Sequence, residues 1–351
     1  MANWEIYSGS GQAHGDIGMR LPAPPPWRQF DGGPALPVPG DDVQANLHAA
    51  TTYLPSQDAV RQINAALYLR RPLLVTGLPG TGKSTLAYAV AHELELGPVL
   101  HWPIASRSTL RQGLYEYDPL SRLYAASRLD RGQPSDPTGA GTDEADGDDI
   151  GSYIRLGPLG TALLPYDRPR VLLIDEIDKS DIDLPNDLLT IFETGSYEVV
   201  ELARRETPVS RVMTADSTRV RAEIHDGKVA CREFPLVIMT SNGEREFPPA
   251  FLRRCITLTL KQPASEAELT AIVSKHLGGL IGSKGELPRQ ARQIIAHFFR
   301  RSSSSQLAND QLLNAIYLCY HAVLDRPVED VLALADQVMP YLSSEPASDD
   351  H

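Results

Sequence analysis

The chain has 351 residues, 42% hydrophobic and 22% charged, enough for one sizeable α/β core and a smaller second unit. A formal net charge of −12 and a pI of about 5.2 disfavour a general nucleic-acid binder, because an acidic surface repels a phosphate backbone. Three scattered cysteines give no disulfide framework or metal spacing, and neither a membrane span nor a secretory signal is visible. A cytoplasmic protein without membrane insertion is therefore expected.

Residues 1–50 read as a Pro- and Gly-rich N-terminal arm. Pro22, Pro24, Pro25 and Pro26 before Trp27, then Pro34, Pro37 and Pro39, bar a regular helix or a central strand. Two readings fit: an arm wrapped over the surface with Trp4, Trp27 and Phe30 as anchors, or a disordered tail. Val60, Ile63, Ala66 and Leu67 share one face of a helix predicted over Pro55 to Leu69. Pro72 to Thr76 is an apolar run ending at glycine, which reads as a buried parallel strand.

Gly77-Leu78-Pro79-Gly80-Thr81-Gly82-Lys83-Ser84 follows, a complete G-x-x-x-x-G-K-[ST] between that strand and an amphipathic helix marked by Leu86, Val90 and Leu94. Glycines let such a loop turn its N–H groups onto phosphate oxygens, and the helix N-terminus adds partial positive charge. The pattern implies ATP, with Lys83 on the β- and γ-phosphates, Ser84 on Mg²⁺ and Thr85 near the α-phosphate. Upstream, Tyr53 and Leu54 fit either an adenine pocket or plain packing.

Val99 to Trp102 reads as a second strand and Leu110 to Arg128 as a helix. Residues 130–151, rich in Gly, Pro and Asp, read as a solvated insertion. Val171 to Ile174 is another core strand, ending in Asp175-Glu176, where ligands sit in open α/β sheets. Asp175 suits the Mg²⁺ shell and Glu176 the activation of a water. Asp178 gives D-E-x-D, which also resembles a helicase box; without partner helicase motifs it reads as a helix cap or surface residue.

Leu184 to Phe192 is predicted helical and residues 197–234 β, with Asp226-Gly227 as a two-residue hairpin turn. Leu236 to Met239 is a further core strand. Thr240-Ser241-Asn242 closes it, and Asn242 fits a contact to the γ-phosphate or lytic water as well as a turn. Arg253 and Arg254 end a short Pro-opened helix, where they complement its dipole or serve as an arginine finger toward a neighbouring subunit. Ile256 to Leu260 is the last strand.

Helices alone follow. Ser265 with Glu268 reads as a capping box, and Gly278-Gly279 as that helix's stop. The pairs Ile294-Ile295 and Phe298-Phe299, then Leu312 to Leu324 and Val328 to Val338, mark three more. The expected division is an arm at 1–50, an αβα nucleotide-binding unit at 51–262 with insertions at 130–151 and 197–234, a helical lid at 263–342 and a disordered tail at 343–351.

Together, Gly77 to Ser84, Asp175-Glu176-Ile177-Asp178-Lys179, Thr240-Ser241-Asn242 and Phe251-Leu252-Arg253-Arg254 resemble an AAA+ ATPase of the MoxR branch, over about residues 50–340. The branch rests on Arg70-Arg71-Pro72-Leu73-Leu74, on Tyr115-Glu116-Tyr117-Asp118 and on the two insertions. The resemblance implies an α/β P-loop NTPase fold with a five-stranded parallel sheet in the order 5-1-4-3-2 and an all-α lid. It implies a hexameric ring with Asn242 as sensor 1, and Arg254 as finger with Arg253 as understudy. It also implies chaperone-like remodelling of a protein substrate, beside a von Willebrand factor A-domain partner. One departure stands out: Ser302 to Leu307 carry no arginine where a sensor 2 belongs, and Arg300 or Arg301 is the substitute.

Overall fold

The computed structural model describes residues 4–40, 46–130, 150–205, 207–216, 220–277, 289–302, 309–322 and 328–338. Their strands, in chain order, are β1 (Leu73–Thr76), β2 (Leu100–Pro103), β3 (Tyr115–Tyr117), β4 (Ile154–Leu156), β5 (Val171–Asp175), β6 (Ser196–Glu198), β7 (Val209–Met213), β8 (Arg221–His225), β9 (Lys228–Ala230), β10 (Leu236–Ser241) and β11 (Ile256–Thr259). The helices that matter most to the site are α1 (Gln57–Leu69), α2 (Lys83–Glu93), α3 (Asp183–Thr194) and α4 (Pro249–Leu252), and the C-terminal four are α5 (Glu266–His276), α6 (Arg289–Ser302), α7 (Asn309–Ala322) and α8 (Val328–Val338).

β11, β1, β10, β5 and β2 form one parallel sheet in that order, the expected 5-1-4-3-2. Its central strands are apolar at nearly every position because both faces are covered. Alternate side chains then enter different cores. Leu73 and Val75 pack with Ile63, Leu86 and Val90 from α1 and α2. Leu74, Leu172 and Ile174 face the other way, among Leu188, Ile191 and Phe192 of α3.

A second, mostly antiparallel sheet, β3-β4-β7-β8-β9-β6, supplies Val212, Ile224 and Val229 to that other core. The β8–β9 turn falls at Asp226-Gly227 as expected, both residues left-handed at φ 50° and 67°, the requirement of a type I′ hairpin.

The helix expected from Leu110 to Arg128 is broken. A short helix, Leu110–Leu114, gives way to β3, and a new helix runs over Pro119–Asp130. The physical reason is Asp118-Pro119. A residue before proline is pushed toward extended backbone, and Asp118 caps the new helix by accepting from the Ser121 N–H at 2.9 Å. Tyr115 to Tyr117 are then free to pair antiparallel with β4.

The arm wraps the surface on more than the aromatic anchors expected: Trp4 packs edge-on against Tyr68, with ring centroids 5.5 Å apart. Trp27 is 75% exposed and Trp4 37%, while Ile6, Tyr7 and Ile17 are buried. Phe30 does anchor, stacked on Phe234 with ring centroids 5.3 Å apart. Two polar side chains clasp the arm. Asn64 of α1 accepts from the N–H groups of Ile6 (2.7 Å) and Tyr7 (3.0 Å). Glu93 of α2, fully buried, accepts from the N–H groups of Ser8 (2.6 Å), Gly9 (3.1 Å) and Gly11 (3.0 Å).

The C-terminal helices share a core of their own, among it Leu269, Val273, Ile294, Ile295, Phe298 and Leu312. At α5, Ser265 accepts from the Glu268 N–H at 3.2 Å, but the Glu268 carboxylate reaches back to Ala264 rather than Ser265, at 2.9 Å. α5 ends against the body: Lys275 Nζ donates to Tyr53 O (3.1 Å), and Thr52 Oγ1 and His276 Nδ1 share a hydrogen bond of 3.2 Å. The acidic stretch 131–149, Gly278-Gly279, the sensor-2 region 303–308 and the tail 343–351 lie outside the described residues. Among the described residues no helix is long and apolar enough to cross a membrane, and no cluster of His, Cys, Asp or Glu is arranged to hold a metal.

Candidate functional site

Sheet order decides what meets at the C-terminal edge. β10 lies between β1 and β5, so the loops after these three strands converge. The loop after β1 is the glycine-rich one. Gly77, Gly80 and Gly82 have φ of 153°, 74° and 84°. A Cβ on Gly77 would lie 2.6 Å from the Leu260 backbone oxygen, so that tight path admits only glycine. Lys83 Nζ is folded back onto the loop, donating to Gly77 O (2.8 Å) and Leu78 O (3.0 Å). Thr81 Oγ1 closes the turn by donating to Leu78 O (2.8 Å). Pro79 lies within this turn, and Ser84 and Thr85 stand in the first turn of α2.

Ser84 Oγ donates to Asp175 Oδ1 at 2.7 Å, which joins the glycine-rich loop to the acidic strand end. Thr240 of β10 completes the arrangement. Its hydroxyl donates to the same Asp175 oxygen (2.6 Å) and accepts from the Glu176 N–H (2.8 Å). His101 of β2 lies 3.3 Å from Asp175 Oδ2. Burial alone raises the Asp175 pKa, but the bonds from His101, Thr240 and Ser84 outweigh it and hold the carboxyl at about 2.

Glu176 itself is left-handed, at φ 61°, a strained state for a residue with a side chain. Its carboxylate accepts from Lys179 Nζ at 2.6 Å, with both side chains 43% exposed. Burial lowers the Lys83 pKa, opposed by the charges of Asp178, Asp175 and Glu176.

Asp178 is a correction to the sequence reading. It is neither a surface residue nor a helix cap but is 4% exposed. Its Oδ2 accepts from Ser241 Oγ (3.0 Å), the Asn242 N–H (2.8 Å) and the Glu244 N–H (3.2 Å). Asn242 is thus held by its backbone beside the acidic turn. Thr240, Ser241 and His101 were also missed as individual site residues. The buried polar run closing β10 was the available signal for the first two.

Tyr53 comes to the glycine-rich loop: a Cβ on Gly82 would lie 2.9 Å from its ring. Burial raises the Tyr53 phenol pKa. Leu54, next to it, is 42% exposed. The two arginines are not brought to Lys83 by any described contact. Arg254 is ion-paired with Glu193 of α3 and donates to Ala250 O at 3.1 Å. The Arg253 side chain is exposed, and its backbone oxygen accepts from Arg71 Nη1 at 3.3 Å.

These residues fit a nucleotide with Mg²⁺. The loop is a cradle that a Cβ would fill, its lysine is buried beside it, and a serine hydroxyl with an ionised carboxylate is the hard-oxygen set that Mg²⁺ takes. Comparison with known proteins gives the family. A family model described as AAA domain (dynein-related subfamily) matches residues 72–255. No curated protein matches. Among solved structures, a closed-state reconstruction of Hsp104 with ATPγS and FITC casein is similar at 19% identity and a TM-score of 0.39. The match covers 79% of this chain and 45% of that one, so the chain spans less than half of its length.

Proposed function

Since the chain belongs to the AAA domain family, in its dynein-related subfamily, we propose that it binds ATP with Mg²⁺ and hydrolyses it to drive work on a protein partner. The observation that carries this reading is the Ser84–Asp175 hydrogen bond of 2.7 Å with Glu176 next in sequence. It brings the glycine-rich loop together with Asp175 and Glu176 on one edge, which supports reading Ser84 and Asp175 as a metal pair and Glu176 as a general base.

Ser84 and Asp175 would hold Mg²⁺, which when bound neutralises charge on the β- and γ-phosphates. Lys83 exchanges its two loop carbonyls for phosphate oxygens. The N–H groups of the loop from Gly77 to Gly82 line the cradle, Thr85 lies toward the α-phosphate, and Tyr53 with Leu54 borders the base. Glu176 takes the proton of the attacking water. Thr240 orients Glu176 through its N–H, and Asn242 faces the γ-phosphate. Arg254, with Arg253 beside it, serves the site of a neighbouring copy in a hexameric ring.

The MoxR placement belongs to this proposal, supported by Arg70 to Leu74, Tyr115 to Asp118 and the β-rich insertion between α3 and β10. So do a von Willebrand factor A-domain partner, a cytoplasmic setting and the low expectation of nucleic-acid binding. Of the two candidate sensor-2 substitutes, Arg301 is ion-paired with Asp336 of α8 and Arg300 Nε donates to Ala296 O at 3.3 Å, so both are bonded within the helical unit.

The test is Glu176→Gln. ATP affinity is expected to stay within about threefold, while turnover falls on the order of 10²–10⁴-fold, the usual worth of a general base. Turnover equal to wild type removes Glu176 from the chemistry. One observation favours a second reading, a nucleotide-controlled assembly switch: the Lys179 ion pair holds the Glu176 carboxylate. Tight ATP binding with negligible turnover in wild type is the outcome of that reading.

A further inference from the structure

The acidic turn carries a third carboxylate that the mechanism above leaves unused. Asp178 sits in the 3-10 turn Ile177–Lys179, directly after Glu176. It is buried, and burying a charge is costly unless strong hydrogen bonds offset it. All three of its described bonds fall on Oδ2, and all come from one segment: Ser241 Oγ, the Asn242 N–H and the Glu244 N–H. Oδ1 is buried and receives no hydrogen bond from the described residues.

Three donors on one carboxylate oxygen form a strong, directed restraint. A fourth tie crosses the same gap, from Arg245 Nη1 to Ser180 O at 2.7 Å. The turn that aims Glu176 therefore also fixes where the backbone of Asn242 begins. Asp178 is in addition the foremost of the three carboxylates whose charge acts on Lys83. The carboxylate thus holds the Ser241–Glu244 segment, while its charge acts on Lys83.

We propose that Asp178 is a positioning residue for ATP hydrolysis, acting through Asn242: its Oδ2 holds the Ser241–Glu244 segment so that the Asn242 side chain is aimed at the γ-phosphate. The proposal rests on the hydrolytic reading above. It explains why an acid, with two acceptor oxygens and no donor, stands at a buried position where a plain turn needs none.

A double-mutant cycle tests it with the full chain, ATP and Mg²⁺. Asp178→Ala is expected to lower kcat about tenfold or more with ATP affinity changed less than about threefold, because the proposed role runs through Asn242. In an Asn242→Ala background the same substitution is expected to lower kcat less than about twofold, since coupled residues are non-additive. Asp178→Asn, near-isosteric and still an acceptor, is expected to recover part of the loss and covers the case that the alanine variant does not fold. Equal losses in both backgrounds, or wild-type kcat in Asp178→Ala, overturn the proposal.

Backbone amide exchange gives a readout that needs no turnover. The Asn242 and Glu244 amides are expected to exchange at least about tenfold faster in Asp178→Asn or Asp178→Ala. Unchanged exchange overturns the restraint itself. Glu176→Gln, run in parallel, separates the two levels: full turnover there sinks the base assignment, whereas lost turnover there with an additive Asp178 cycle sinks only the positioning role.

Discussion

At the scale of single residues, charge balance around Lys83 sets the strongest expectation. The charges of Asp178, Asp175 and Glu176 act on one buried ammonium, whose two hydrogen bonds go to loop carbonyls. Removing it leaves an acidic pocket that repels a polyphosphate. Lys83→Ala is expected to weaken ATP binding on the order of 100-fold, as for loss of a charge-assisted contact. Calorimetric titration reads it, and unchanged affinity overturns the phosphate-loop assignment. Lys83, Ser84, Asp175 and Glu176 were legible in the sequence because each belongs to a contiguous motif whose chemistry is local. Thr240 and Asp178 were not. Their partners are 65 and 64 positions away, at Asp175 and Asn242, and only the placement of β10 beside β5 creates those contacts.

At the scale of elements, the same distinction holds for the fold. The parallel strands were legible because five apolar runs alternate with helical segments, their order only through the family resemblance, and the hairpin because Asp-Gly demands left-handed φ. The break at Asp118-Pro119 was missed because helical periodicity continues across it, while β3 exists only through its partner β4. The arm is the clearest case: its prolines excluded regular structure, yet nothing local showed that Glu93, on a helix more than 80 residues away, holds it.

That clasp makes a prediction for the element. Glu93→Ala strips three backbone N–H groups of a fully buried acceptor. The expected cost is roughly 3 kcal/mol, lowering Tm by about 6–12 °C. Limited proteolysis within residues 4–20 is expected to accelerate together with that loss. A Tm within about 1 °C of wild type, with the arm still resistant, shows that the packing of Ile6, Tyr7 and Ile17 suffices without the carboxylate.

At the scale of the whole molecule, the decisive matter is where the last positive charge of the site comes from. Among the described residues Lys83 is the cation that hydrogen-bonds the glycine-rich loop, and Arg254 is ion-paired with its own Glu193. α4 is anchored by Phe251, fully buried, so the arginines after it are presented from a fixed base while the Arg253 side chain stays exposed. On the proposed reading this charge serves a neighbour's phosphates rather than its own. Turnover per chain is therefore expected to rise steeply with protein concentration and then saturate, since on that reading isolated chains lack the finger. Arg254→Ala chains and Glu176→Gln chains, each inactive alone, are expected to regain activity when mixed. A mixed assembly contains sites with an intact base and an intact neighbouring arginine, each such finger worth on the order of 10³–10⁵ in rate. Repeating the mixture with Arg253→Ala in place of Arg254→Ala tells which guanidinium crosses the interface. Turnover per chain that is flat from nanomolar to micromolar protein, with no recovery at any mixing ratio, means that each chain completes its own site and the ring is not part of the chemistry.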